Sequence, residues 1–560
     1  MSEQTNKSSF TSFMSSGQPW VWMNAGAVAV SMIMVAGLLF LIAVRGLGHF
    51  WPKTVYEIEY DNGTNIVQIV GERVETEEVP KKRIVESGIR VDSDKDLIER
   101  SLIKVGIREV LGVDFMLTVA PNERSVRVPE DVIVLERTQW GNFYGYLTDV
   151  KEAGKTVDVA DADLWGELER RLHRVTELRE RIELIEKNRI GSINFQLEKL
   201  RLKRRGLELK GITDQGTYDL LSTEQDEYTG DYEVLKAELD ELYRDITRDS
   251  ITARVMTGDE VEIKLANVVK AYQPNAMTLA AKIVFYIKTF WGFISDDPRE
   301  ANTEGGIFPA IFGTVIMVLL MSIIVTPFGV VAAIYLREYA RQGLVTRLVR
   351  ISVNNLAGVP SIVYGVFGLG FFVYVVGGTI DELFYREALP SPTFGSGGVL
   401  WASLTLALLT VPVVIVATEE GLARIPRSVR EGSLALGATK AETLWRTVLP
   451  MASPAMMTGL ILAVARAAGE VAPLMLVGAV KLAPSLPVDM NAPFIHLERK
   501  FMHLGFHIYD VGFQSPNVEA ARPLVYATAL ILVAVIVVLN LSAIYIRNHL
   551  REKYRSLEQH

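Results

Sequence analysis

Cysteine is absent from the 560 residues of this chain. No disulfide, no thiolate chemistry and no cysteine-based zinc site can therefore form. Positive charge is also in short supply, since 58 lysines and arginines face 66 aspartates and glutamates, a net charge of −8. Because phosphate backbones are bound by basic surfaces, we expect no nucleic acid among the partners.

Charged residues of either sign are scarce outside one region. Residues 45–305, which we call the insert, carry 38 basic and 50 acidic side chains, whereas the other 299 residues carry only 20 and 16. A soluble protein has no reason to separate its charges in this way. The pattern is typical of a membrane protein with one large water-facing region.

Six stretches are long and apolar enough to cross about 30 Å of hydrocarbon, which takes roughly 20 helical residues. They lie near 25–44, 307–336, 351–376, 398–418, 455–480 and 523–546. Only Lys7 precedes the first stretch, and no small-x-small cleavage motif follows it. We therefore interpret this stretch as an uncleaved anchor rather than a secretory signal.

The distribution of basic residues predicts the orientation in the membrane. The loop 337–350 and the tail 547–560 carry four basic residues each, and the loop 419–453 carries five. On the opposite side the loop 377–397 carries one, although 481–522 carries four. This balance predicts that both termini lie in the cytoplasm and that the insert lies outside.

The insert shows both strand and helix periodicity. Strand-like alternation occurs at 56–60, 66–70, 114–120, 131–136 and 261–269, with an Asp61-Asn62-Gly63 turn between the first two. Apolar residues then recur every three or four positions from Leu164 to Leu200 and from Leu235 to Ile246. We predict an α+β domain that contains an antiparallel, coiled-coil helical hairpin near 163–248, with arms at roughly 163–210 and 224–248. A solvated helix pair without a dedicated partner is the alternative.

The predicted boundaries divide the chain into five parts. Residues 278–294 are apolar but interrupted by Lys282 and Lys288, which favours a helix lying in the membrane interface. The five parts are a cytoplasmic tail with the first anchor (1–44), the external α+β domain (45–277), the interfacial helix and linker (278–305), the membrane core (306–546) and a second cytoplasmic tail (547–560).

The loop 419–453 has the pattern of two short amphipathic helices that meet at a glycine. Such an element can pass movement to a cytoplasmic partner, and a plain loop is the alternative. The run resembles the EAA loop through which binding-protein-dependent ABC importers couple to their ATPase. Four positions match that pattern in spacing: Glu431, Gly437, Leu449 and Pro450. Gly432, Ser433 and Thr447 depart from it, where two alanines and an aliphatic residue are usual.

Three further runs, at 326–329, 354–365 and 465–473, resemble the phosphate-transport (Pst) permeases, of PstA rather than PstC type. The resemblance covers 306–546 and the first helix, but not the insert. It implies a mainly α, six-helix type I ABC importer permease in a bacterial inner membrane, with inorganic phosphate as substrate. It also implies a PstC-like permease, a PstB-like ATPase dimer and a PstS-like periplasmic phosphate-binding protein as partners. ATP would be bound by the ATPase, so we expect neither a cofactor nor enzymatic activity in this chain.

Two charged residues lie near the middle of the apolar segment 455–480. Arg466 and Glu470 are four apart, on one face of a predicted helix. A charge at this depth costs roughly 2.5–3.5 kcal/mol and usually faces a cavity or a partner. The pattern predicts a cation in an anion path, with a structural ion pair as the alternative. Gly358 and Pro360 would open the third helix beside that path, unless they only kink it for packing.

Several patterns bear on rival functions. Gly432 and Gly437 start a phosphate-loop spacing, but Ala438 stands where the required lysine would be. His503 and His507 lie one turn apart without a His-Glu-x-x-His motif, so we expect no metal. Two functional alternatives stay open. The chain could carry another oxyanion, sulfate or molybdate, or it could be a membrane receptor that senses through its external domain, although no cytoplasmic output domain is visible.

Overall fold

The computed structural model describes residues 16–558 apart from 64, 92, 107–111, 159–162, 300–301 and 516–517. Its first element is the helix α1 (Gln18–Gly48), in which only Gly46 is buried. Ile33 and Phe40, for example, are 70% and 71% exposed. So much apolar surface is typical of a helix that lipid surrounds.

The insert begins with a five-stranded antiparallel sheet in the order β4-β3-β2-β1-β5. Its elements are β1 (Val55–Asp61), β2 (Ile66–Pro80), the helix α2 (Lys81–Glu86), β3 (Leu97–Lys104), β4 (Phe115–Val119) and β5 (Glu123–Arg127). β1 and β2 form the hairpin that the turn at Gly63 predicts, and this pairing sets Ile58 opposite Ile69. Both side chains are fully buried, so the alternation fixes which face of the sheet lies inward.

A second antiparallel sheet has the order β10-β9-β7-β6-β11, with β8 paired to β7. Its strands are β6 (Val132–Arg137), β7 (Phe143–Glu152), β8 (Lys155–Thr156), β9 (Asp249–Arg254), β10 (Glu260–Lys264) and β11 (Val268–Tyr272). The chain leaves this sheet after β8 and returns at β9, which pairs with β7. The segment between β8 and β9 is therefore a long connection between two strands of the same sheet.

The connection between β8 and β9 is helical. Its elements are α3 (Leu164–Glu183), a π-helical turn (Leu184–Ile190), α4 (Gly191–Leu209) and α5 (Gln215–Ile246). The two arms are antiparallel, since Arg174 pairs with Asp245 and Arg181 with Glu238. The second arm begins at 215 rather than at the predicted 224, because the Asp214 carboxylate accepts a hydrogen bond from the Thr217 N–H at 3.1 Å and caps the helix.

One apolar core joins both sheets to the base of the helical pair. Leu168 and Val175 of α3 and Leu239 and Ile246 of α5 belong to the same cluster of buried residues as the strands. Leu200, farther out on α4, lies outside that cluster. The base of the helical pair therefore packs as part of the insert, whereas α4 lies against Arg386–Ala388 of the membrane region.

The rest of the chain is almost wholly helical. A short β12–β13 pair (Pro298–Arg299 and Glu304–Gly305) follows α6 (Leu279–Ser295). The later helices are α7 (Phe308–Ile334), α8 (Leu344–Leu356), α9 (Ser361–Phe367), α10 (Gly378–Phe384), α11 (Val399–Arg424), α12 (Arg427–Ala435), α13 (Lys440–Thr443), α14 (Leu449–Ala468), α15 (Ala472–Val477), α16 (Leu504–Tyr509) and α17 (Val518–Glu558). π-helical segments follow α7, α9, α13 and α16, at Tyr335–Tyr339, Gly368–Gly377, Leu444–Val448 and Asp510–Gln514.

In the part of the chain that the structure describes, six helical spans are long and apolar enough to cross a membrane, which is the predicted number. They are Gln18–Gly48, Phe308–Tyr339, Ser361–Phe384, Val399–Arg424, Lys440–Ala468 and Ala521–His549. Several predicted bounds differ from the structure, and the largest difference is at the fifth span, which begins at 440 rather than 455 because the helical turn Leu444–Val448 runs into it. The third span begins at 361 rather than 351, since the chain leaves helical geometry before Pro360, and the fifth ends at 468 rather than 480, since a break precedes Pro473.

The central helix of this bundle is α11, which packs against both α7 and α14. Small residues allow the close approach. A Cβ added at Gly329 of α7 would lie 2.6 Å from Val414, and one at Gly459 of α14 would lie 2.7 Å from Ala417. The hydroxyl of Thr405, buried inside α11, donates to the carbonyl one turn earlier at 2.7 Å, which satisfies it without water.

Candidate substrate path and coupling loop

We call residues 425–450 the Gly437 loop. Its first helix, α12, includes Glu431 and ends just before Gly437, whose φ of +89° lies in the left-handed region that favours glycine. Thr439 and Glu442 then form a capping box that starts α13. The chain thus turns sharply at Gly437 between two helices.

The second half of the Gly437 loop runs directly into the membrane bundle. The helical turn Leu444–Val448 leads into α14, where Leu449 and Pro450 are the first two residues. Pro450 fits there because the first turn of a helix has no use for its missing N–H. Leu449 is buried, so it fixes the loop to the end of the bundle.

An ion pair holds the Gly437 loop against α7. The Arg430 guanidinium lies 2.9 Å from the Glu338 carboxylate, and both side chains are mostly buried. Arg430 also donates to the Leu422 carbonyl at 2.8 Å, and the Lys440 ammonium donates to the Glu338 carbonyl. α12 and α13 therefore move with the end of α7. The sequence motif does not reveal Glu338, because it lies far from the loop along the chain.

A second ion pair joins α8 to the end of α11. Arg350 lies 3.1 Å from Glu419 and also donates to the Gln342 side chain at 2.8 Å. Together with the Arg430–Glu338 pair, it makes this end of the bundle a connected unit. By contrast, Leu436 and Trp445 of the Gly437 loop are 91% and 73% exposed. Such exposed apolar side chains on an otherwise charged element are typical of a contact surface for another protein.

The structure corrects the setting of Arg466 and Glu470. The predicted helix is not continuous: α14 ends at Ala468, so Arg466 occupies its last turn and Glu470 lies in the break before α15. The Arg466 Nε and the Glu470 Oε1 are 3.7 Å apart, which is an ion pair but longer than a hydrogen bond. The two side chains remain neighbours although they do not share a helix face.

The Arg466 guanidinium has few polar partners for a partly buried arginine. Among the described residues its guanidinium, with five N–H donors, has no hydrogen-bond acceptor, and its side chain is only 32% exposed. A cation in this position favours an anion that can accept those hydrogen bonds. The last turn of a helix also favours positive charge, which is the basis of the purely structural alternative.

The two helix breaks of the bundle lie close to each other. α8 ends at Leu356, and α9 begins after Gly358 and Pro360, with the Tyr364 hydroxyl donating to the Leu356 carbonyl at 2.6 Å across the break. α9 then packs against α15, since a Cβ on Gly365 would come within 2.6 Å of Pro473. The interrupted backbone at 358–360 and at 469–471 therefore belongs to one part of the bundle, next to Arg466.

The two histidines considered as metal ligands are buried between helices. His503 Nδ1 accepts the Gly505 N–H at 3.1 Å and so caps α16. Burial lowers the pKa of His503 to about 3 and that of His507 to about 4. His503 therefore caps a helix, while its Nε2 and both ring nitrogens of His507 are buried without a hydrogen-bond partner among the described residues.

Comparison with known proteins shows which family the membrane region resembles. Residues 325–556 match the model of the family "Binding-protein-dependent transport system inner membrane component". The chain is also 34% identical over 245 residues to the phosphate transport system permease protein PstA 1 of Mycobacterium tuberculosis (strain CDC 1551 / Oshkosh), which covers 43% of this chain and 71% of that protein. The chain belongs to this permease family. It is a permease subunit of an ABC importer.

Other relatives of this permease have less specific names. It is 30% identical over 238 residues to the probable ABC transporter permease protein YqgH of Bacillus subtilis (strain 168), covering 43% of this chain and 72% of that protein. The MetNI methionine ABC transporter, solved in inward-facing conformations, is 19% identical with a TM-score of 0.32, over 43% of this chain and 94% of that one. The eight residues predicted to form the path and the coupling loop all lie inside the matched region 325–556, whereas the insert lies outside it.

Proposed function

We propose that this permease imports inorganic phosphate and that Arg466 is the cation that the phosphate meets on its way through the bundle. The observation that carries the proposal is the Arg466 guanidinium, which lacks a hydrogen-bond acceptor among the described residues. Phosphate oxygens accept hydrogen bonds from a guanidinium in the geometry that arginine offers. The PstA name of one relative supports phosphate rather than another oxyanion.

Glu470 then has a defined role. Its carboxylate, 3.7 Å from Arg466, orients the guanidinium without occupying its donors. An anion that replaces this weak contact binds, yet it is released because Glu470 competes for the same cation. The breaks at Gly358–Pro360 and after Ala468 leave backbone groups beside Arg466 that a hydrated ion can contact.

The partners follow from the Gly437 loop and the insert. We propose that the loop is cytoplasmic and that Leu436 and Trp445 dock on a PstB-like ATPase dimer, which binds the ATP. A PstC-like permease would complete the path, and a PstS-like protein would deliver phosphate on the periplasmic side, where we place the insert. Single cysteines at Ser222 and Ser556 of this cysteine-free chain test that orientation with an impermeant thiol reagent. In intact cells Ser222→Cys should react and Ser556→Cys should not, and equal labelling would overturn the topology.

The substrate is tested by uptake of radiolabelled phosphate in cells that lack only this gene. The wild-type gene should restore uptake, an excess of unlabelled phosphate should abolish it, and sulfate or molybdate should leave it within about twofold. Arg386→Gln, which removes an exposed arginine elsewhere, is the matched control for Arg466→Gln. Competition by sulfate or molybdate as strong as that by phosphate would contradict the proposed substrate.

A further inference from the structure

A cavity with a volume of about 410 Å³ lies where the insert meets the membrane helices. This volume is within the roughly 300–1,000 Å³ that is typical of small-molecule sites. Its walls come from both regions. They include Lys53 and Glu72 of the insert, Phe285 and Thr289 of α6, and Pro523 of α17. Neither the predicted path nor the Gly437 loop uses this cavity.

Most of the charged groups that line the cavity neutralise one another. Lys104 lies 3.6 Å from Glu304, and Lys481 lies 3.0 Å from Asp510. Glu136 pairs with Arg299 and with Lys270. These groups build the walls and have little attraction left for a ligand.

Lys53 is different. It is partly buried, and among the described residues its ammonium has neither a hydrogen-bond acceptor nor an ion-pair partner. Burial lowers the pKa of Lys53, the charge of the Glu72 carboxylate opposes this effect, and the charge of Lys104 adds to it. Burial, Lys53 and Lys104 together lower the pKa of the neighbouring His49 to about 4. Lys53 is therefore the lining cation that no described carboxylate pairs with, and it favours an anionic group at this wall of the cavity.

Two further side chains, Thr289 and Glu72, add polar groups to the wall of the cavity. The Thr289 hydroxyl is buried and has no hydrogen-bond partner among the described residues. Glu72 is only 7% exposed and forms no salt bridge with a described residue. Burial, the charge of Glu72 and a hydrogen bond to its carboxylate raise the pKa of the Tyr144 phenol, so one phenol donates to this carboxylate and no described cation neutralises it. The cavity thus offers a cation, a hydroxyl and a separate carboxylate, which together fit a ligand with one anionic and one cationic end.

The position of the cavity limits what that ligand is. α1 ends at Gly48 and the last span begins at Ala521, so two candidate membrane spans end at its edge. α6, which forms another wall, turns apolar side chains outward, with Leu279 and Trp291 each 67% exposed. Aromatic and apolar groups of this kind are typical of the level of lipid headgroups.

We propose that this cavity binds the headgroup of a zwitterionic phospholipid, with Lys53 and the Thr289 hydroxyl on the phosphate and Glu72 on the amine. Lys53 and Thr289 would bind the phosphate group of the lipid, and free inorganic phosphate offers them the same anionic oxygens. A lipid is the better fit because it also supplies the amine for Glu72 and lies at the membrane level of the cavity. Such a lipid would tie the insert to the bundle. This inference does not depend on the substrate that the permease transports.

The test uses the full-length protein, purified with its partner subunits, delipidated and titrated in detergent. Native mass spectrometry would count bound phosphatidylethanolamine, with phosphatidylglycerol and inorganic phosphate as separate arms. We expect one tightly bound phosphatidylethanolamine, about tenfold weaker binding in Lys53→Gln, and no change in Lys210→Gln, an exposed lysine of the helical pair. Lys53→Arg, which keeps the charge, should bind within about threefold of wild type.

Two other variants keep the proposal testable if Lys53→Gln does not fold. Thr289→Val removes only the hydroxyl and should weaken binding several-fold, and Glu72→Gln should reduce the preference for phosphatidylethanolamine over phosphatidylglycerol. Undiminished binding of phosphatidylethanolamine in Lys53→Gln would overturn the proposal, and if that variant does not fold, undiminished binding in Thr289→Val would overturn it. Competition by millimolar inorganic phosphate for the same site, or equal binding of both lipids by the wild type, would overturn the assignment to a zwitterionic lipid.

Discussion

The insert and the membrane bundle sort polar and apolar side chains in opposite ways. In the insert Ile58 and Ile103 are fully buried, and charges cover the outside. In the bundle Ile33 and Phe40 face outward, while Thr405 and Thr410 are fully buried and donate to carbonyls of their own helix. The same residue types therefore have different meanings in the two regions, because water surrounds one and lipid the other.

The treatment of buried charge shows the difference most clearly. In the insert Asp249 is fully buried, and three arginines lie within 2.9 Å of its carboxylate: Arg171, Arg174 and Arg248. In the bundle Arg466 has a single partner at 3.7 Å. A buried charge with a full set of partners is satisfied within the fold, whereas one with an incomplete set is available to a ligand. This contrast is the reason to look for the substrate at Arg466.

The largest effect on the bundle side is expected from Gly437→Val. A β-branched side chain at φ +89° is strained by about 1–3 kcal/mol and should change the turn between α12 and α13. Phosphate uptake should fall to background at normal membrane abundance. Gly437→Asn is the control, since asparagine tolerates this backbone region, and it should retain most of the uptake. Equal uptake by the valine and asparagine variants would show that the turn does not matter.

On the insert side the largest effect is expected from Asp249→Asn. Removing one partner of a buried ion-pair cluster costs about 3 kcal/mol, because the arginines stay buried without their counter-charge. Unfolding of the insert can be followed by thiol labelling in an Ala253→Cys background, where the residue is fully buried. Asp245→Asn is the matched control, because Asp245 is 54% exposed and 3.9 Å from Arg174, and it should change stability by less than about 0.5 kcal/mol.

The Asp249 carboxylate should make the stability of the insert depend on pH. Burial alone would raise the pKa of Asp249, but the neighbouring arginines outweigh it and lower the pKa below its ordinary value. The stabilisation is therefore fully present above the unfolded-state pKa, near 4, and is lost as the pH falls through the lower folded-state value. Because the thiolate fraction itself falls with pH, the labelling rate of the Ala253→Cys protein is divided at each pH by that of the exposed Ser222→Cys protein. This ratio should rise below about pH 4, and less so when Asp249→Asn is also present. An identical pH profile for both proteins would contradict this account.

A smaller effect is expected where the Gly437 loop is tied to α7. Arg430→Gln removes a partly buried ion pair and should reduce uptake several-fold, and Glu338→Gln should do the same. If the pair acts as a unit, the double variant is no worse than either single variant. Arg427→Gln, an exposed arginine of the same helix, should leave uptake unchanged. Additive losses in the double variant would mean that the two residues act separately.

The smallest effect is expected from shortening the helical pair. Replacing 197–225 with a Gly/Ser linker removes the outer part of the hairpin and leaves the base, which packs in the core of the insert. Membrane abundance and phosphate uptake should stay within about twofold of wild type. Loss of assembly would show that the outer part of the hairpin is needed by the bundle. The full segment 163–248 is a poorer choice, since Leu168 and Ile246 belong to the core.

The sequence predicts the six spans well because a run of about 20 apolar residues matches the thickness of the hydrocarbon core and is rare in a water-exposed helix. It predicts β1 and β2 because their alternation is local. It does not reveal β9, whose first residue, Asp249, is polar and is buried only because arginines from distant elements reach it. Such pairing is a tertiary effect that no local pattern records.

The candidate site likewise contains some features that the sequence predicts and others that it does not. Gly437 is visible from motif spacing, since a left-handed turn needs a glycine. The end of α14 at Ala468 was mispredicted, because an apolar run continues through the break and only Gly469 and Pro473 mark it. Glu338 and the cavity around Lys53 have no local signal, since both depend on elements that are brought together only by folding.

The most direct test of the central claim is phosphate uptake by the charge-free double variant Arg466→Gln, Glu470→Gln at normal membrane abundance. If Arg466 binds the passing phosphate, removing both charges abolishes uptake even though no unpaired charge is left in the bundle. Arg466→Gln alone should fail equally, and Glu470→Gln alone should be milder or should slow phosphate release. Near-normal phosphate uptake by the double variant would contradict the account and leave the pair a packing element at the end of α14.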